Sequence, residues 1–125
     1  MITNFKVSED SKIVSWKNEE QLKKIVFECR VEAYYIEYLD EVIVQSDARE
    51  SGSSNLIIYN ADGSVKARPQ MPQLKHEVGG VYAIWFAQGK RAQTLVLMTD
   101  EYKPYDTACT FDLETHEFSK FHPTK

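Results

Sequence analysis

The chain has 125 residues, of which 42% are hydrophobic, 27% charged and 12% aromatic, and its formal net charge is −4. That length suits one domain with a single continuous core, and the apolar fraction excludes a disordered chain. The acidic balance excludes the broad basic surface that nucleic acid or an anionic membrane requires, and directs attention to a basic protein partner.

The first residues, Met1-Ile2-Thr3-Asn4-Phe5-Lys6, lack the charged-then-apolar order of a signal peptide. The longest apolar run, Val81 to Ala87, is too short to cross a bilayer as a helix. A cytoplasmic location is therefore expected. Cys29 and Cys109 lie far apart and form no CxxC pair, so both read as buried thiols.

The chain opens on an expected hairpin over about 4–16, in which Phe5-Lys6-Val7 and a strand from Ile13 flank an Asp10-Ser11 turn. The segment 18–27 reads two ways. Asn18-Glu19-Glu20-Gln21 resembles a capping box, and Leu22, Ile25, Val26 and Cys29 then share one helical face. Its counterpart later in the chain holds Pro72, Gly79 and Gly80, which suit a loop. The expectation is a short helix or turn over 18–27 and a strand from about Cys29.

Val42-Ile43-Val44-Gln45-Ser46-Asp47 reads as a buried strand, followed by a loop over Ser46–Asn55. Ile57-Ile58-Tyr59-Asn60-Ala61-Asp62-Gly63-Ser64-Val65 is the strongest hairpin, because Asp-Gly tolerates the positive φ of a two-residue turn. Gln73-Leu74-Lys75-His76 then repeats Gln21-Leu22-Lys23-Lys24 at a step of 52. Val81–Ala87 and Leu95–Met98 are apolar at successive positions, as for strands covered on both faces.

Leu95-Val96-Leu97-Met98-Thr99-Asp100 repeats Val42–Asp47 at a step of 53. A second long loop, Thr99–Thr107, leads to a hairpin over Thr110–Phe118 turning at Thr115-His116. Glu117 to Phe121 alternates like a half-exposed strand. The fold expected is a single all-β domain over 1–125, an antiparallel meander. It comprises the hairpin and two four-stranded, blade-like units, about 21–70 and 73–123, arranged as an open propeller or a sandwich.

The chemistry-bearing residues form no catalytic pattern. His76, His116 and His122 have no metal-ligand spacing, Ser51-Gly52-Ser53-Ser54 is no nucleophile elbow, and Gly79-Gly80 and Gly89 make no phosphate loop. A non-enzymatic protein without metal or cofactor is expected. At one end of an up-and-down unit lie the two longest loops, which carry Asp47 and Glu50 in one and Asp100, Glu101, Tyr102, Tyr105 and Asp106 in the other. Tyrosines among carboxylates suit a protein interface. The opposite end sets Glu37, Asp40 and Glu41 against Lys90 and Arg91, a pattern of surface balance.

The repeat resembles propeller blades of kelch-like length. Two and a half units are too few to close a ring, so either the sheets pack as an open stack or copies assemble into a homo-oligomer. In size, acidity and absence of a catalytic motif, the chain is similar to the small bacterial immunity proteins. That resemblance implies a toxin inhibitor, blocking a basic toxin domain such as a nuclease by steric and electrostatic means. The alternative is a small-molecule or carbohydrate binder assembled from blade-like units, with Trp16, Trp85 and Tyr82 lining its pockets.

Overall fold

Eleven strands follow one another along the chain, and a computed structural model describes all of residues 1–125. They are β1 (Ile2–Val7), β2 (Ile13–Asn18), β3 (Gln21–Val26), β4 (Glu32–Ile36), β5 (Glu41–Gln45), β6 (Leu56–Asn60), β7 (Val65–Ala67), β8 (Val81–Trp85), β9 (Ala92–Leu97), β10 (Thr107–Asp112) and β11 (Phe118–Pro123). The only α-helical turn is α1 (Ala48–Ser51), inside the β5–β6 loop. The strands form three antiparallel sheets, ordered β1-β2-β3, β4-β5-β6-β7 and β8-β9-β10-β11. None closes into a barrel.

The three sheets stack as layers, and the period of two in the middle sheet explains why. Successive β-strand side chains point to opposite faces. Val42 and Val44 on β5, with Ile57 and Tyr59 on β6, face the first sheet and pack with Ile2, Val14 and Trp16. Ile43 on β5, with Leu56 and Ile58 on β6, faces the last sheet and packs with Val81, Ile84, Leu95, Leu97, Cys109 and Phe111. The middle sheet is thus apolar on both sides. Each layer passes to the next from its last strand to the first strand of the following sheet, through residues 27–31 and 68–80.

The segment 18–27 is a strand, not a helix. Helical spacing would bury Leu22 and Val26, yet they are 63% and 67% exposed. The strand instead alternates, setting Lys23 opposite Trp16 and Ile25 opposite Val14 on the inner face. Glu19 and Glu20 both adopt positive φ (50° and 68°), closing a two-residue turn between Asn18 and Gln21. A Glu-Glu turn carries no glycine signal, which is why the capping-box pattern misled. β3 therefore completes the first sheet, and the middle sheet begins at Glu32.

The expected hairpins all form, but they do not all hold the same place. Ile57–Val65 and Thr110–Phe118 are the third-to-fourth strand turns of the middle and last sheets, whereas Phe5–Ile13 joins the first two strands of its own. Val42–Asp47 and Leu95–Asp100 run through the second strands, β5 and β9, of their sheets. Gln73–His76 lies in the crossover and has no strand counterpart to Gln21–Lys24.

Val81–Ala87 also departs from expectation. A register shift between Val81 and Ala83 sends Tyr82 and Trp85 outward, 62% and 57% exposed. The other run expected to be covered on both faces is so covered: Leu95, Val96 and Leu97 of β9 are all sequestered, as are Thr107, Ala108 and Cys109 of β10.

Candidate functional site

The two long loops do leave from one end of the stack. Residues 46–55 join β5 to β6 and residues 98–106 join β9 to β10, and the crossover 68–80 runs between them. A short α-helical turn and a set of side-chain anchors give these loops fixed shapes.

Asn55 is the principal anchor. It is fully buried, and its amide nitrogen donates to Ser46 O and to Val81 O, both at 2.8 Å. Its Oδ1 accepts from the Val81 N–H at 2.8 Å. One side chain so ties the middle sheet to the last. The neighbouring Gly80 has φ +140°, and a Cβ there would sit 2.8 Å from Asn55 Oδ1, so only glycine fits. Gly79 N–H donates to Met98 O at 2.7 Å and Met98 N–H to Gly80 O at 2.9 Å, docking the second loop onto the crossover.

Of the seven residues expected to bind a partner, three serve the frame. Asp47 caps α1, accepting from Arg49 N–H at 2.8 Å, and the Arg49 guanidinium beside it holds its carboxyl down at about 2. Glu50 accepts from the backbone N–H groups of Glu28 (3.1 Å) and Cys29 (2.9 Å), fastening the crossover between the first two sheets. Glu101 accepts from His76 N–H at 2.7 Å, and that bond lowers its carboxyl below the usual range. Tyr102 is half-buried, its hydroxyl donating to Phe121 O at 3.3 Å.

The other three stand free. Asp100 and Asp106 are exposed and their carboxylates bond no other group of the chain, while Tyr105 is 45% exposed with Lys125 Nζ 5.5 Å from its ring centre. Asp100 and Asp106 line a shallow cleft with Glu77, Met98 and Thr99. Glu77 belongs to this group and escaped sequence reading, because the segment that carries it reads only as a loop leading into a strand and not as one of the two long loops at this end. Asn55 escaped too, although an asparagine directly before the apolar run 56–59 marks a polar group entering a core. The end is not uniformly acidic, since Lys75 and Lys103 are also exposed there.

At the opposite end Glu37, Asp40 and Glu41 pair with neither Lys90 nor Arg91, and the charges there take other partners. Arg91 pairs with Asp112 (2.9 Å) and Glu114 (3.6 Å) of its own sheet, and it holds the Asp112 carboxyl down at about 2. Asp40 accepts from Ile2 N–H (2.9 Å) and the Tyr35 hydroxyl (3.0 Å), and buried Glu41 pairs with Lys66. Glu37 meets Gln88 through its backbone N–H. His116 stacks on Phe111 with rings 6.0 Å apart, and burial together with nearby Lys66 lowers its pKa.

No group of three or more His, Cys, Asp or Glu side chains is placed to hold a metal ion, and no helix is long and apolar enough to cross a membrane. Trp16 lines no pocket: it is fully buried between the first two sheets, its indole N–H donating to Ala61 O at 2.7 Å. No protein-family model matches the chain, and neither a curated protein nor a solved structure matches it.

Proposed function

We propose that the protein is a non-enzymatic protein-binding module, an immunity-type inhibitor that neutralises a cognate toxin by covering a basic cleft with its loop end. The observation that carries this reading is the cleft where Glu77, Asp100 and Asp106 present three exposed, unpaired carboxylates beside exposed Tyr105. The segments bearing them are preset by the Asn55 bond to Val81, the Glu101 bond to His76 and the backbone bonds of Met98 to Gly79 and Gly80, so docking orders little chain and loses little affinity to entropy. Free carboxylates accelerate association with a basic surface, and a rigid tyrosine supplies contact area.

The test takes the product of the gene adjacent to this protein's own, expressed in a bacterial host. If that product arrests growth, co-expression of this protein restores growth, and D100K/D106K together abolish the rescue. Rescue that survives both reversals, or an adjacent product that neither arrests growth nor binds, overturns the reading. Asp47, Glu50 and Glu101 drop from the contact set, because their carboxylates are already used inside the chain.

A further inference from the structure

The first sheet stops one strand short of the other two. In the middle and last sheets the third strands, β6 and β10, are flanked by β7 and β11. The third strand of the first sheet, β3, has β2 on one side and no strand on the other. An edge strand leaves alternate backbone N–H and C=O groups unpaired, a template for another strand.

The side chains beside that edge have a definite character. Register places Leu22 beside Lys17 and Thr3, Lys24 beside Ser15 and Lys6, and Val26 beside Ile13, all on the face turned away from the core. Along the edge the outward order is Leu22, Lys24, Val26, exposed apolar residues either side of a lysine. Lys6, Lys17 and Lys24 share this face without a carboxylate among the paired positions, in a chain whose net charge is −4.

We infer that β3 is a docking edge for an extended segment of another protein, one that reads apolar, acidic, apolar at alternate positions and adds as a fourth strand. Cross-strand neighbours on one face interact directly, so an acidic side chain falls opposite Lys24 and apolar ones fall opposite Leu22 and Val26. A second copy of this chain is disfavoured. Antiparallel pairing of β3 with itself that matches Leu22 to Val26 sets Lys24 against Lys24, and like charges opposite one another repel. The lysines thus guard the edge against self-association while selecting an acidic strand. Stacking the outer face of the last sheet here is no better, for it offers Ala83, Trp85, Thr94 and Thr110 to three lysines.

This surface is separate from the loop end, and its test does not depend on the loops. The probe is a capped heptapeptide, Thr-Val-Thr-Glu-Thr-Val-Thr, titrated to millimolar concentration into isotope-labelled protein while backbone amide signals are followed. The expected result is shifts centred on residues 21–26, with binding about tenfold weaker in K24E. A lysine-centred version of the peptide then prefers K24E over the native chain. D100K leaves both responses unchanged. Lys24 is exposed, and an unchanged amide spectrum outside β3 verifies that K24E keeps its fold. Absence of shifts in β3, equal responses to the glutamate and lysine peptides, or self-association that K24E removes each overturns the inference. A stronger response of this face to oligothymidylate or to anionic phosphatidylserine vesicles also overturns it, assigning the lysines to phosphate.

Discussion

Asn55 and Val81 exchange two hydrogen bonds of 2.8 Å, side-chain amide to backbone, across the boundary between the middle and last sheets. A third bond, from the same amide to Ser46 O, anchors the β5–β6 loop. Backbone groups at a sheet end need partners when water is excluded, and here one side chain supplies them.

Replacing Asn55 with alanine leaves the Val81 N–H and the Ser46 C=O without a partner, and the Val81 C=O with only the 3.4 Å bond from Gln45 Nε2. Each buried group left unpaired costs about 1–3 kcal/mol. The variant N55A is expected to lose several kcal/mol in urea unfolding and to become mobile over residues 77–81. A loss under about 1 kcal/mol would show that water substitutes for the side chain.

Stability falls as the pH drops through the histidine range. Burial and Lys66 depress the His116 pKa from its ordinary 6.5, so the folded state favours the neutral ring. The unfolded chain then takes up this proton first, and the stabilisation present above pH 6.5 is lost below it. In H116Q the slope of unfolding free energy between about pH 7 and 5 flattens. An unchanged slope would place that proton uptake elsewhere.

The two thiols differ in access. Cys109 packs in the core between the middle and last sheets, and burial pushes its thiol up to about 12, whereas Cys29 is half-buried near the surface. Iodoacetamide at mildly alkaline pH should label Cys29 in the native protein and reach Cys109 only after denaturation. Comparable labelling rates would contradict the packing.

The two tryptophans report on opposite environments. Trp16 is fully enclosed and Trp85 is 57% exposed. W85F should emit at short wavelength and resist iodide quenching, with the native fold intact. W16A removes the largest side chain of its core and is expected to cost about 3–5 kcal/mol by chemical denaturation.

Glu50 separates an anchoring role from a binding one. Its carboxylate holds the Glu28 and Cys29 amides, so E50A should speed hydrogen exchange at those two amides while leaving exchange in β9 and β10 unaltered. Unchanged protection at Glu28 and Cys29 would return Glu50 to the list of free surface carboxylates.

The strand content and the loop end were legible because period two and turn chemistry are local signals. Val42–Val44 and Leu56–Tyr59 advertised buried strands, and Asp62-Gly63 advertised a tight turn. Three features escaped because they depend on distant partners. The Glu19-Glu20 turn is stabilised by the pairing of β2 with β3, against the preference of glutamate for negative φ. Trp85 sits in an apolar run but is turned outward by a register shift that appears only when β8 meets β9. The anchoring roles of Asp47, Glu50 and Glu101 depend on which backbone amides arrive beside them, and no spacing in the sequence encodes that arrival.

The middle sheet has no face of its own for solvent, and this shapes how the chain comes into being during synthesis. Once β7 has emerged from the ribosome, the first two sheets can close over Val42, Val44, Ile57 and Tyr59. Ile36, Ile43, Leu56 and Ile58 then wait uncovered until β8, β9 and β10 follow. For that interval the nascent protein displays a flat, greasy sheet to its surroundings, the form most prone to aggregate and most readily held by a chaperone.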